Sequence, residues 1–288
     1  METSEIIKKV RKIEIKTRGL SNHIFAGEYH SAFKGRGMTF SEVREYQYGD
    51  DVRSIDWNVT ARFAHPYIKV FEEERELTVM LLIDVSGSRV FGTVSQYKMD
   101  IFTEVAAVLA FSTIHNNDKV GVIFFSDKIE KFIPPKKGRK HVLHIIREMI
   151  DFKPESKQTD IAEALRYFTN AIKKRSTAFI ISDFIDDDFE KELTIANKKH
   201  DVVALQVYDI RETEIPDVGL IKLKDSETDQ RIWVDTSDNR LRISYKHDWG
   251  QSQLALQKTF TKSGVDFVSM STSDDYVRTL IKLFKMRS

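Results

Sequence analysis

Three short stretches of this chain place oxygen-bearing side chains where an apolar run ends or a helical pattern begins. Asp84-Val85-Ser86-Gly87-Ser88 closes the run that starts at Leu77. Ser182-Asp183 closes the run Ser176-Thr177-Ala178-Phe179-Ile180-Ile181. Ser156-Lys157-Gln158-Thr159-Asp160 opens a helical pattern. One carboxylate with two hydroxyls in a Gly-containing turn is a hard oxygen donor set, of the kind that suits Mg2+, Mn2+ or Ca2+. So few carboxylates favour Mg2+, which keeps waters and an open coordination position. The same residues also cap: an Asp-Ser turn holds its own backbone, and Thr159 or Asp160 suits the start of the helix that follows. Both readings stand at this level.

The elements that position these stretches follow from periodicity. Leu77–Val85, Lys119–Asp127, Ser176–Phe184 and Asp201–Asp209 read as strands buried on both faces, and Val265–Ser271 as another. Lys128–Pro135 reads as an edge strand, because two prolines close it. Helices are predicted over 96–115, 138–151, 159–174, 188–199, 248–262 and 274–286, with a hairpin-like segment at 218–235. The first of these shows a broad apolar face of Ile101, Val105, Val108, Leu109 and Ser112. Asp186-Asp187-Asp188 reads as the capped, acid-rich start of the helix at 188. Strands alternating with helices predict an α/β fold, a doubly wound and mostly parallel sheet in a Rossmann-like three-layer sandwich. In such sheets ligands bind beyond the carboxyl ends of the strands, at the topological switch point. The first and fourth strands can be neighbours there, which brings all three stretches together.

The 288 residues suggest about two units at roughly 150 residues per domain. The expected division is a loop-rich segment at 1–76 and the α/β domain at 77–288. Residues 5–16, with Ile6, Ile7, Val10, Ile13 and Ile15 among basic residues, predict a short amphipathic helix. With 45 Lys+Arg against 44 Asp+Glu, the net charge of +1 gives no electrostatic case for nonspecific nucleic-acid binding. The absence of Cys excludes disulfides, thiolate zinc sites and Cys nucleophiles. No signal-peptide pattern and no run of about 18 apolar residues is present, so a cytoplasmic setting is expected.

Asp84, Ser86, Ser88, Thr159 and Asp183, in order and context, resemble the metal-ion-dependent adhesion site of the von Willebrand factor A fold. The resemblance implies Ser86, Ser88 and Thr159 as direct ligands of Mg2+ (or Mn2+/Ca2+). It gives Asp84 and Asp183 direct or water-bridged charge-balancing roles, with a carboxylate from a protein partner completing the shell. Upstream, the run Gly37–Tyr46, then Gly49–Trp57, Ala61-Arg62 and Phe71–Arg75 are similar to the bacterial domain-of-unknown-function family fifty-eight. Members carry this A-type domain, their genes commonly lie beside one for a MoxR-type AAA+ ATPase, and many have N-terminal membrane helices. The resemblance spans about residues 25–288. Two positions depart from such sites: the approach to Thr159 is Ser-Lys-Gln rather than Gly-rich, and Arg89 follows the last serine. A guanidinium beside a cation weakens its binding unless it pairs with the partner's acid.

Arg44, Tyr46, Arg53, Trp57 and, beside the metal loop, Arg89 are candidate partner-binding residues, since Trp, Tyr and Arg are favoured interface anchors. The structural alternative packs Trp57 on the sheet and pairs Arg44 and Arg53 with Asp56 or Asp51. His141 and His144 share a helix without a second pair and make no metal constellation. Two functions compete. The first is a noncatalytic metal-dependent interaction module, an adaptor or assembly factor acting with a MoxR-type ATPase. The second is a divalent-metal-dependent phosphohydrolase. A haloacid-dehalogenase-type phosphatase needs an acid where Ser86 stands, and neither G-x-S-x-G nor a nucleotide-binding glycine loop is present. Without a positioned general base the hydrolase is the poorer fit.

Overall fold

The computed structural model describes residues 38–73, 77–90, 97–225 and 230–287, with Arg11 and Glu14. The helix expected at 5–16 lies outside these apart from those two residues, as do Gly37, Glu74 and Arg75 of the family-like motif. The chain divides into a small unit, Phe33–Leu77, and a larger one containing Thr78–Ser288.

In the small unit, β1 (Met38–Glu45) pairs antiparallel with β2 (Tyr67–Glu73), with an irregularity between Phe40 and Glu42. Between them lie a 3-10 turn, Val52–Ser54, and the short helix α1, Trp57–Phe63. Asp56 caps α1 by accepting from the N–H groups of Asn58 and Val59, which satisfies donors with no intrahelical partner. Asp56 also pairs with Lys69 at 3.4 Å. Arg44 donates through both guanidinium nitrogens to Asp50 at 2.8 Å. Trp57 is 69% exposed rather than packed on a sheet. It is the first residue of a helix whose cap turns the chain, and a two-stranded ribbon has little apolar face to cover it. Arg44 takes Asp50 instead of Asp51 or Asp56, because both of those carboxylates cap local backbone, Asp51 accepting from the N–H of Arg53.

The larger unit is built on a six-stranded sheet. Its strands are β3 (Thr78–Asp84), β4 (Lys119–Phe125), β5 (Ile129–Lys136), β6 (Thr177–Ser182), β7 (Asp201–Tyr208) and β10 (Asp266–Ser271). They lie in the order β10-β7-β6-β3-β4-β5, all parallel except β5 at the edge. A hairpin of β8 (Leu220–Lys224) and β9 (Arg231–Asp235) stands apart from this sheet. Leu81 in β3 stands opposite Val122 on one side and Phe179 on the other. Val79 to Ile83 are buried throughout, each contributing about 1.5–3 kcal/mol by leaving water. Gly121 is required where β5 crosses close by: a Cβ there would meet Pro135 N at 2.8 Å and Ile133 O at 2.9 Å.

The helices are α2 (Lys98–His115), α3 (Arg139–Asp151), α4 (Ile161–Ala171), α5 (Glu190–Lys199), the single turn α6 (Ile210–Thr213), α7 (Asn239–Ser263) and α8 (Tyr276–Arg287). Val105 to Ala110 of α2 are all buried, as in a helix apolar all round. Three expectations are corrected. The helix predicted at 248–262 begins at Asn239, where Asp238 caps it by accepting from the N–H of Arg240. The helix predicted from 188 begins at Glu190 after a Phe189 cap. Asp186 serves the first turn of a different helix, α4, by accepting from the N–H of Ile161 at 2.7 Å.

From β3 the chain builds outward through β4 and β5, then returns to the other side of β3 for β6, β7 and β10. The reversal falls between β3 and β6, so their carboxyl ends flank the crevice where such sheets bind ligands.

Candidate metal centre

Asp84 ends β3 at this crevice and is 1% exposed. Its Oδ1 accepts from the N–H of Ser86 at 2.9 Å, holding the following turn. Its Oδ2 accepts from the Ser182 hydroxyl, the last residue of the neighbouring β6, at 2.6 Å. Ser86 and Ser88 are buried, with hydroxyl oxygens 3.1 Å apart. The Gly87 N–H donates to the Lys157 carbonyl at 2.9 Å, tying the loop that bears Thr159 to the Ser86 turn. Thr159 is half-buried there. The cap of α4 falls to Asp160, which accepts from the N–H of Glu163 at 2.7 Å.

Asp183 follows β6 and is buried, but its Oδ2 accepts from the Lys98 ammonium at 2.8 Å. Lys98 opens α2 and is fully buried; its ammonium also pairs with Glu212 in α6. A polar chain crosses the strand ends beside it: Ser269 of β10 donates to Gln206 of β7, which donates to the Asp183 carbonyl. Phe184, next in sequence, takes a left-handed φ of 57°, a conformation that costs a non-glycine residue about 1–3 kcal/mol. Its N–H is held by the Ser182 hydroxyl at 3.0 Å. Arg89 lies in the 3-10 turn Gly87–Val90, and its side chain is outside the described ones.

Burial, and then the charge of Asp183, raise the Asp84 carboxyl to about 6. Burial lowers the pKa of Lys98, but Asp183 and Glu212 outweigh it and raise it above the ordinary lysine value, so the ammonium stays charged. Burial raises Glu212 against the pull of Lys98.

Among the described residues no group of three or more His, Cys, Asp or Glu is placed to hold a metal ion. A cation here would therefore rest on hydroxyls. The donor set fits one: Ser86 and Ser88 converge as buried hard oxygens beside the buried Asp84 carboxylate. Sequence reasoning singled out Asp84, Ser86, Ser88, Thr159 and Asp183. It missed Lys98, Glu212 and Gln206. Glu212 had a signal, since Asp209-Ile210-Arg211-Glu212 is a capping box in which each acid holds the other's backbone. Lys98 had none, because a lysine beside a helix start reads as solvated.

A cavity of about 630 Å3 opens beside Asp183, with Glu212, Tyr245, Asp248, Trp249 and Leu256 in its walls. A second, of about 420 Å3, is lined by Thr159, Asp127, Asp160 and Asp186–Asp188. None of the described residues lining either cavity is Lys or Arg.

The six-stranded order with one antiparallel edge is the von Willebrand factor A-like arrangement. Two solved structures share the fold. The conserved hypothetical protein BatB from Bacteroides thetaiotaomicron aligns over 73% of this chain and 98% of its own at 15% identity and a TM-score of 0.50. An aerotolerance-related membrane protein from Bacteroides fragilis aligns over 73% and 99% at 14% identity and a TM-score of 0.51. In this chain no helix among the described residues is long and apolar enough to cross a membrane. An uncharacterized protein of Mycobacterium tuberculosis is 28% identical over 281 residues, 96% of this chain and 88% of that protein. Residues 42–254 match the family described as "Protein of unknown function DUF58". The chain therefore belongs to the DUF58 family and carries a von Willebrand factor A-like α/β domain.

Proposed function

We propose that this protein is a noncatalytic, divalent-cation-dependent protein-interaction module. The von Willebrand factor A-like fold supports interaction as its business. The observation that carries metal dependence is the buried Ser86–Ser88 hydroxyl pair at 3.1 Å beside Asp84, with the Thr159 loop tied to the same turn. Ser86, Ser88 and Thr159 would hold the cation, Mg2+ before Mn2+ or Ca2+, and Asp84 would balance its charge. Bound there, the ion supplies positive charge for a carboxylate offered by the partner. The chain's own residues do the rest: Asp84 and Ser182 fix the turn, and the cavity beside Asp183 seats whatever flanks the partner's acid. Family resemblance makes a MoxR-type AAA+ ATPase the first partner to test, and a cytoplasmic setting goes with a partner that consumes ATP.

The phosphohydrolase reading is less favoured. Both cavities present acids and no basic side chain among their described lining, which repels a phosphorylated substrate. The test is capture of the purified ATPase by the immobilised chain with Mg2+, with chelator, and with Asp84→Ala. Capture that needs Mg2+ and fails in the variant supports the proposal. Capture indifferent to both, or metal-dependent phosphatase activity abolished by Asp84→Ala, refutes it.

A further inference from the structure

A fully buried lysine at the first turn of a helix stands in an unfavourable place on two counts. The ammonium pays a desolvation cost of several kcal/mol unless it is paired, and it lies at the positive end of the helix dipole. Lys98 has both disadvantages, with 0% exposure and a position opening α2. What compensates is its placement between two carboxylates from different strand ends, Asp183 after β6 and Glu212 after β7. Asp84 lies within electrostatic reach of Asp183. Two acids, Asp183 and Glu212, thus face one ammonium, and Asp84 is a third acid beside Asp183. When all are ionised, the surplus is two negative charges, which is the charge of one divalent ion.

We propose that Lys98 is a resident cation of this centre, which engages Asp183 and thereby sets the divalent-ion affinity low. The inference rests on the metal-dependent reading above and deepens it. With Asp183 hydrogen-bonded to Lys98, the ion must be held mainly by hydroxyls and Asp84, and the ammonium repels it. Lys98 is a positioning residue: it acts through Asp183 and touches neither ion nor partner. A low resting affinity makes the partner's carboxylate a necessary part of the complete shell, so that cation and partner bind cooperatively.

A unit charge within a few ångströms moves a proton affinity by roughly 1–3 pKa units, or about 10- to 1000-fold. A divalent ion feels the same ammonium at least as strongly. The experiment is calorimetric titration of the full chain with Mg2+ and with Mn2+, alongside thermal unfolding with and without each ion. The proteins are the wild type, Lys98→Met, the double variant Lys98→Met/Glu212→Gln, and each of these with Asp84→Ala. The double variant removes one of the two stranded acids and keeps an acceptor for the Asp209 N–H, guarding against loss of fold, which far-UV circular dichroism checks. The expected result is Mg2+ binding about tenfold tighter or more in the Lys98 variants, a larger rise in Tm with the ion than in wild type, and loss of both with Asp84→Ala. Ion binding by the wild type with equal or weaker binding by the folded Lys98 variants overturns this inference alone. No ion binding by any folded protein overturns the metal-dependent reading, and this inference with it.

Discussion

Replacing Ser182 with alanine removes one hydroxyl that serves two strand-end groups at once. It donates to the Asp84 carboxylate at 2.6 Å and accepts from the Phe184 N–H at 3.0 Å, with all three residues buried. A hydrogen bond to a charged acceptor contributes roughly 1.5–3 kcal/mol. A buried N–H left without an acceptor costs roughly 1–3 kcal/mol. Alanine is nearly isosteric, so no cavity adds to these, and because the two effects share one hydroxyl we expect a loss of about 3 kcal/mol. Urea unfolding followed by circular dichroism measures it as a lower midpoint at unchanged slope. A pH series adds a second readout. The folded Asp84 carboxyl, at about 6 against an ordinary 3.8, holds a proton that the unfolded chain has released. Asp84 therefore contributes stability at low pH that is lost as pH rises through that window. The Ser182 bond lowers this pKa, so Ser182→Ala moves the window upward. A loss below about 1 kcal/mol, or a window that moves down, would show that the Ser182–Asp84 bond does not hold the turn.

Two further outcomes test the scaffold. His200 is buried beside Phe168, and burial lowers its pKa to about 4 from an ordinary 6.5. Between those values the unfolded chain binds the extra proton, so His200 contributes a loss of stability as pH falls, by up to about 3 kcal/mol and opposite in sign to the Asp84 contribution. His200→Asn should therefore gain stability relative to wild type as pH falls from about 6 to about 4, and an unchanged profile refutes the assignment. Gly121→Ala forces a Cβ to within 2.8 Å of Pro135 N and 2.9 Å of Ile133 O, so unfolding should show a loss of about 1–3 kcal/mol, whereas a stabilised variant would contradict the close crossing of β5.

The sequence made the sheet legible because each parallel strand is a continuous apolar run, and it made Asp84 and Asp183 legible because acids ending such runs stand out. The neighbouring of the first and fourth strands, on which convergence depends, appears as the β3–β6 pairing. What escaped was nonlocal or short. Asp186 accepts from the first N–H of a helix that starts 25 residues earlier, so its neighbours in sequence pointed to the wrong one. The first turns of α7 were missed because Asn239 to His247 alternate charge with isolated apolar residues and bury no continuous stripe. α6 is only four residues long, too short for any periodicity. The burial of Lys98 depends on two carboxylates that reach it from 85 and 114 positions away, and no local pattern encodes that meeting.

The central claim is that hydroxyls from separated turns meet over one hard cation. Anomalous diffraction from crystals grown in Mn2+ tests it most directly. With Mn2+ in large excess over the low affinity argued above, the account predicts an anomalous peak within about 2.0–2.3 Å of the Ser86 and Ser88 hydroxyl oxygens, with Asp183 still on Lys98. Crystals that diffract well, carry Mn2+ elsewhere and leave those hydroxyls bonded only to each other and to backbone would contradict it.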